Sequence, residues 1–175
     1  MRNVISAPKI ITFHITFYLS GGLRGKFFMN QPPQGHFNDQ LRERASKMAA
    51  SVRHLFDKKK INIIDQSQIL QLTRSASSVA ANYRAATRGR SDAEYFSKIC
   101  IVVEEVDETL FWLEYLIEIN VINKEEALSL IDEVTQLVRL FSAIKRKMKE
   151  KMEADKATTL EKWTTMMSMW SPKCD

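Results

Sequence analysis

Helix breakers are scarce in this chain. Of 175 residues only five are glycine and four are proline, and most of these precede residue 36. The body of the chain therefore has little to interrupt a helix, which points to an all-α protein. Cysteine is equally sparse: Cys100 lies inside an apolar helical pattern and Cys174 lies one residue from the C-terminus. Two such thiols make no disulfide framework and suit a reducing compartment, here the cytoplasm. The three histidines, His14, His36 and His54, form no cluster. No Gly-rich phosphate loop, nucleophile–base pair or internal repeat is present, so the chain reads as non-enzymatic and free of cofactors.

Long apolar runs are missing too. The stretch from Ile10 to Leu19 is interrupted by His14 and two threonines, and ten residues cannot span a bilayer. The first 28 residues resemble a short signal peptide in their early Arg and following apolar stretch, yet no clear small-x-small cleavage site follows. The preferred reading makes Met29 the true start and residues 1–36 a leader or non-globular extension. A signal or anchor, or a structured extension, stays open as an alternative.

What is present is amphipathic helix. Apolar residues make up 45% and charged residues 27%, ordinary for a globular protein. A first helix is predicted from Asn38 to about Lys60, capped by Asn38 or Asp39, with Phe37, Leu41, Ala45, Met48, Val52 and Leu55 as its apolar stripe. A second runs from a cap at Asp65 or Ser67 to about Arg88, stopped by Gly89. Ser91 with Glu94 forms a capping box that opens a third helix, Asp92 to about Ile119. Phe96, Ile99, Val103, Val106, Leu110, Leu113, Ile117 and Asn120 give it an unbroken three-four repeat. A fourth follows from Lys124 to about Met152 on Ala127, Leu130, Val134, Leu137, Phe141, Ile144 and Met148. Short turns between amphipathic helices predict an antiparallel up-down four-helix bundle over residues 37–152. Residues 153–175 are a Met- and Trp-rich tail, read as either a short fifth helix or a frayed end.

Charge is where function enters. The balance of 26 basic to 21 acidic residues gives a net charge of +5, which permits contact with nucleic acid without requiring it. The stretch RSASSVAANYRAATRGRSDAEYF, Arg74 to Phe96, is thin-sided and basic, then abruptly acidic. Its small residues let neighbouring helices approach closely. Arg84, Arg88 and Arg90 admit two accounts. One pairs them with acids of the third helix, from Glu94 to Glu118, or of another copy; the other gives them phosphate, which guanidinium suits. Up-down topology puts these arginines at the same end as Lys145, Arg146, Lys147 and Lys149, with Lys58, Lys59 and Lys60 at the opposite end. Cations at a helix C-terminus are also expected from the helix dipole alone. The carboxylates Glu104 to Glu108 lack the histidines that a bundle metal site needs, so no metal is expected. Tyr95, Trp112 and Tyr115 stand off the third helix's stripe and are candidate self-association anchors, a wider monomer core being the alternative.

Residues 71–122 resemble the bacterial 23S rRNA intervening-sequence protein family. The likeness is carried by LTRSA at Leu72 to Ala76, ANYR at Ala81 to Arg84, RSDAEYF at Arg90 to Phe96 and ETLFWLE at Glu108 to Glu114. The family is named for members encoded in insertions within 23S ribosomal RNA genes. The resemblance implies a four-helix bundle assembled into a homopentamer, with no enzyme activity. A similar pentameric bundle serves diversity-generating retroelements as an accessory protein, engaging nucleic acid and a reverse transcriptase through basic surface. Two functions follow as expectations: an accessory protein binding RNA or DNA through the basic residues, or a scaffold binding a protein partner through Trp112, Tyr115, Trp163 and Trp170.

Overall fold

The computed structural model describes residues 34–57 and 59–169. The readings of residues 1–33, Lys58, Trp170 and Cys174 lie outside the described residues. Four helices, α1 (Gln34–His54), α2 (Gln66–Ala86), α3 (Asp92–Glu118) and α4 (Lys124–Met169), make up the described chain, with no strand among the described residues.

Each helix end has a local cause. α1 begins four residues before the expected cap, so Asn38 is inside it and serves a different purpose: its Oδ1 accepts from the Tyr83 hydroxyl at 3.2 Å. It also ends at His54, short of Lys60, where Phe56 N–H to Arg53 and Asp57 N–H to His54 tighten the chain into turns. α2 stops at Ala86, and Gly89 sits close above it. A Cβ there would lie 3.1 Å from the Ala86 carbonyl oxygen, so Gly89 acts through close approach and has no left-handed backbone. Ser91 caps α3, its Oγ accepting from the Glu94 N–H at 3.1 Å, while Glu94 accepts from the backbone N–H of Arg90 at 2.9 Å. The reciprocal bond of a capping box is thus displaced by one residue. At the far end Asn120 takes φ 60°, with Val121 N–H bonded to Leu116 O and Asn120 N–H to Ile117 O, a Schellman closure using Asn where Gly is commoner.

The core is one apolar cluster fed by all four helices, with Met48, Val52, Leu72, Val79, Tyr83, Leu113, Leu137 and Phe141 sealed from solvent. Most expected stripe residues of α1 and α4 fill it: in α1 Phe37 is exposed and Phe56 is buried where Leu55 is only half-buried, and in α4 the buried row ends at Phe141, with Ile144 and Met148 half-buried. α3 is rotated from its expected face. Its buried row is Ile99, Val102, Val106, Thr109, Leu113 and Leu116, while Phe96, Val103, Leu110 and Ile117 are half-buried and Asn120 is exposed. The rotation brings the Thr109 hydroxyl to 3.1 Å from that of Ser75 on thin-sided α2. The Ser75 hydroxyl donates to the Leu72 carbonyl oxygen at 3.2 Å, and the one Thr109 proton is shared between Ser75 and the Glu105 carbonyl oxygen at 2.7 Å, so no buried polar side chain among the described residues lacks a partner.

α4 does not end near Met152. It continues in one helix to Met169, a total of 46 residues. No Gly or Pro falls between Lys124 and Pro172, and the core-facing stripe, not the helix, is what ends at Met152. From Glu153 to Met169 every side chain is exposed.

Candidate nucleic-acid interface

The turn between α2 and α3 sets the basic end of the molecule. Arg84, on the last turn of α2, and Arg88 and Arg90, in the turn, are all exposed. None of the three makes an ion pair among the described residues. The expected pairing with acids of the same chain's α3 is therefore not formed. Glu94 spends its carboxylate on the Arg90 backbone, and Glu108 accepts from the Trp112 indole N–H at 2.9 Å. Glu104, Glu105, Asp107, Glu114 and Glu118 make no ion pair among the described residues either.

Two contacts tie the basic block of α4 to this turn. The rings of Tyr83 and Phe141 lie 5.0 Å apart, next to Arg84 on one helix and one turn before Lys145 on the other. Farther along, Lys151 Nζ donates to Asp92 Oδ2 at 2.5 Å, and that carboxylate holds the ammonium above its ordinary pKa. Between these contacts, Arg146 reaches Glu150 at 4.0 Å and Lys149 reaches Glu153 at 3.8 Å. Lys147 is exposed and Lys145 half-buried, both without an ion pair among the described residues. Lys59 belongs to the other end, where it donates to Glu126 at the start of α4 at 2.6 Å.

A cleft of about 430 Å³ between α1 and α2 is lined by Asp39, Arg42, Glu43, Ser46, Arg84 and Arg88. Its two carboxylates are already engaged within α1, Asp39 by Arg42 and Glu43 by Lys47 at 2.7 Å; the latter contact lowers the Glu43 pKa. Arg84 and Arg88 remain as its cations without an ion pair among the described residues. Sequence reading missed Arg42, although a chain turning back from α2 to the start of α1 would have brought it into view.

The aromatic residues divide. Trp112 and Tyr115 meet, their rings 5.8 Å apart, together with Phe111, which stacks on Tyr115 at 6.1 Å and meets Trp112 edge-on at 5.0 Å. Phe111 is 54% exposed and is the most open of the three. Three aromatics within FWLEY were the signal for it. Tyr95 is not part of this group. It lies about 25 Å away along the helix, packed against the core, where burial raises its phenol pKa. Among the described residues no group of three or more His, Cys, Asp or Glu is placed to hold a metal, and no helix is long and apolar enough to cross a membrane.

Residues 39–143 match the model of a family described as 23S rRNA-intervening sequence protein. A solved structure from Bacteroides thetaiotaomicron, described as a protein with unknown function from the S23 ribosomal protein family, is similar in fold. It is 26% identical with a TM-score of 0.55, over 62% of this chain and 97% of that one. No curated protein matches the chain. The family match takes in more than half of the 175 residues, and the chain belongs to the 23S rRNA-intervening sequence protein family.

Proposed function

We propose that this chain is a non-enzymatic, cytoplasmic, homo-oligomeric accessory protein that binds RNA or DNA through Arg84, Arg88, Arg90 and the lysines of α4. The observation that carries the reading is that these three arginines are exposed and unpaired among the described residues, beside a second basic segment. Guanidinium groups held on a helix end and turn, with no carboxylate of their own, are suited to phosphate oxygens. An antiparallel up-down arrangement underlies this clustering. It is supported by the contacts Asn38–Tyr83, Asn82–Lys98 and Asp92–Lys151, each joining the earlier part of one helix to the later part of a neighbour, with Ser75–Thr109 and Arg44–Glu133 lying between the ends. Assembly into a homopentamer, as the family resemblance implies, is supported by the exposed Phe111 group and by Glu104, Asp107, Glu114 and Glu118 of α3, which are exposed and make no ion pair among the described residues.

The test is fluorescence anisotropy with labelled structured RNA and duplex DNA at several salt concentrations. Binding should weaken steeply with salt. Replacing Arg84, Arg88 and Arg90 together by Ala should weaken it further and reduce the salt slope by about two to three, one phosphate contact being worth about 0.9. Unchanged affinity and slope in a variant of full helicity would remove this surface. A second reading, a scaffold with no nucleic-acid role, is favoured by the Phe111–Trp112–Tyr115 group. It predicts capture of a protein partner that withstands high salt and is lost in Trp112→Ala.

A further inference from the structure

We propose that the free part of α4, residues 153–169, is a second self-association element that pairs antiparallel with the same segment of another copy. Among the described residues the Lys151–Asp92 contact is the last hydrogen bond that α4 makes to another helix, and Met152 is its last half-buried residue. Beyond it the helix runs about 25 Å further with every side chain exposed. A helix of that length without packing is marginal in water. Its composition calls for a partner: Leu160, Trp163, Met166 and Met167 are 65%, 57%, 54% and 63% exposed. At 100° per residue these four fall on about a third of the circumference, the width of a buried helical face. That face follows the side of α4 which, up to Phe141, fills the core.

Area and charge select a second copy as the occupant. Each of the four side chains leaves on the order of 100–150 Å² open, so two copies facing each other would bury on the order of 1,000 Å², the threshold of a specific interface. The segment carries three acids, Glu153, Asp155 and Glu161, against two bases, Lys156 and Lys162. That balance offers no cationic surface to phosphate or anionic lipid. The order of the apolar residues favours self-pairing: in an antiparallel pair centred between Trp163 and Thr164, Leu160 faces Met167 of the second copy and the two Trp163 side chains meet near the centre. The segment lies beyond residue 143, where the family match ends, so this pairing is separate from any assembly through the helices of the family domain.

The experiment is sedimentation equilibrium of the full chain over a wide concentration range. It compares the unchanged protein, Leu160→Glu/Trp163→Glu, Leu160→Ala/Trp163→Ala and Trp112→Ala/Tyr115→Ala, with helicity checked by circular dichroism. The Glu pair should halve the mass, and the Ala pair, which keeps helix propensity, should weaken the association at least about ten-fold. Equal masses for the unchanged chain and both α4 variants overturn the proposal, including the case in which residues 1–33 of the same chain cover the face. The larger assembly is judged independently. An α4 variant that sediments as a monomer argues against homo-oligomerisation through the family domain while leaving tail pairing intact.

Discussion

Tyr83 is the residue on which most of the fold converges. Its ring is sealed in the core against Phe141, and its hydroxyl leaves that core at one point to donate to Asn38 at the start of α1. Burial pushes the phenol well above its ordinary pKa of 10.0, because the charged form would lose its hydration. The folded state therefore holds the proton more tightly than the unfolded chain. Stability from this group is complete below about pH 10 and is lost as pH rises from there toward the folded pKa. Tyr83→Phe should cost about 1 kcal/mol at neutral pH through the lost hydrogen bond. It should also flatten the alkaline decline, which Tyr95 continues to contribute. Urea midpoints measured from neutral to strongly alkaline pH check both effects. A variant curve parallel to that of the unchanged protein would mean that Tyr83 ionises no differently in the fold.

At the scale of the element, α2 and α3 show what a sequence reveals about a helix and what it hides. Helix positions were legible because breakers are rare and local caps are strong: Ser91 acts where its spacing to Glu94 predicted. The facing of α3 was not. A search for apolar letters selects Leu110 over Thr109, yet Thr109 is the buried residue, because Ser75 receives its hydroxyl across the seam. That match joins residues 34 positions apart, and no local period encodes it. The extent of α4 was hidden for a related reason, since periodicity reports contact with a core and falls silent where a helix leaves it. The Ser75–Thr109 seam also makes a firm prediction about size. Ser75→Leu puts a branched side chain where none fits and should cost about 1–3 kcal/mol by overpacking. Chemical denaturation should show a lower midpoint, and an unchanged one would mean that α2 and α3 can separate without loss.

For the whole molecule, the sequence located the basic end better than the interactions within it. Clustering followed from helix order alone, whereas the absence of ion pairs at Arg84, Arg88 and Arg90 among the described residues depends on where the α3 acids point, and Arg42 enters only through the α1–α2 cleft. Arg44 of α1 holds Glu133 of α4 by two bonds of 2.8 Å and reaches Gln136 at 3.1 Å. These partners are 89 and 92 residues apart, against 34 for Ser75 and Thr109. Loop closure costs more entropy over the longer span, so the chain should assemble α2 on α3 early and seat α1 against α4 late. Interactions absent from the folding transition state govern how long the native state lasts, not how quickly it forms. Arg44→Ala, discounted for its partial exposure, should cost about 1 kcal/mol and speed unfolding about five-fold, with refolding almost unchanged. Stopped-flow measurement of both limbs decides it, and a matching fall in the refolding rate would place α1 docking at the start of folding. A late-docking α1 makes this ion pair a latch that prolongs the native state without hastening its formation.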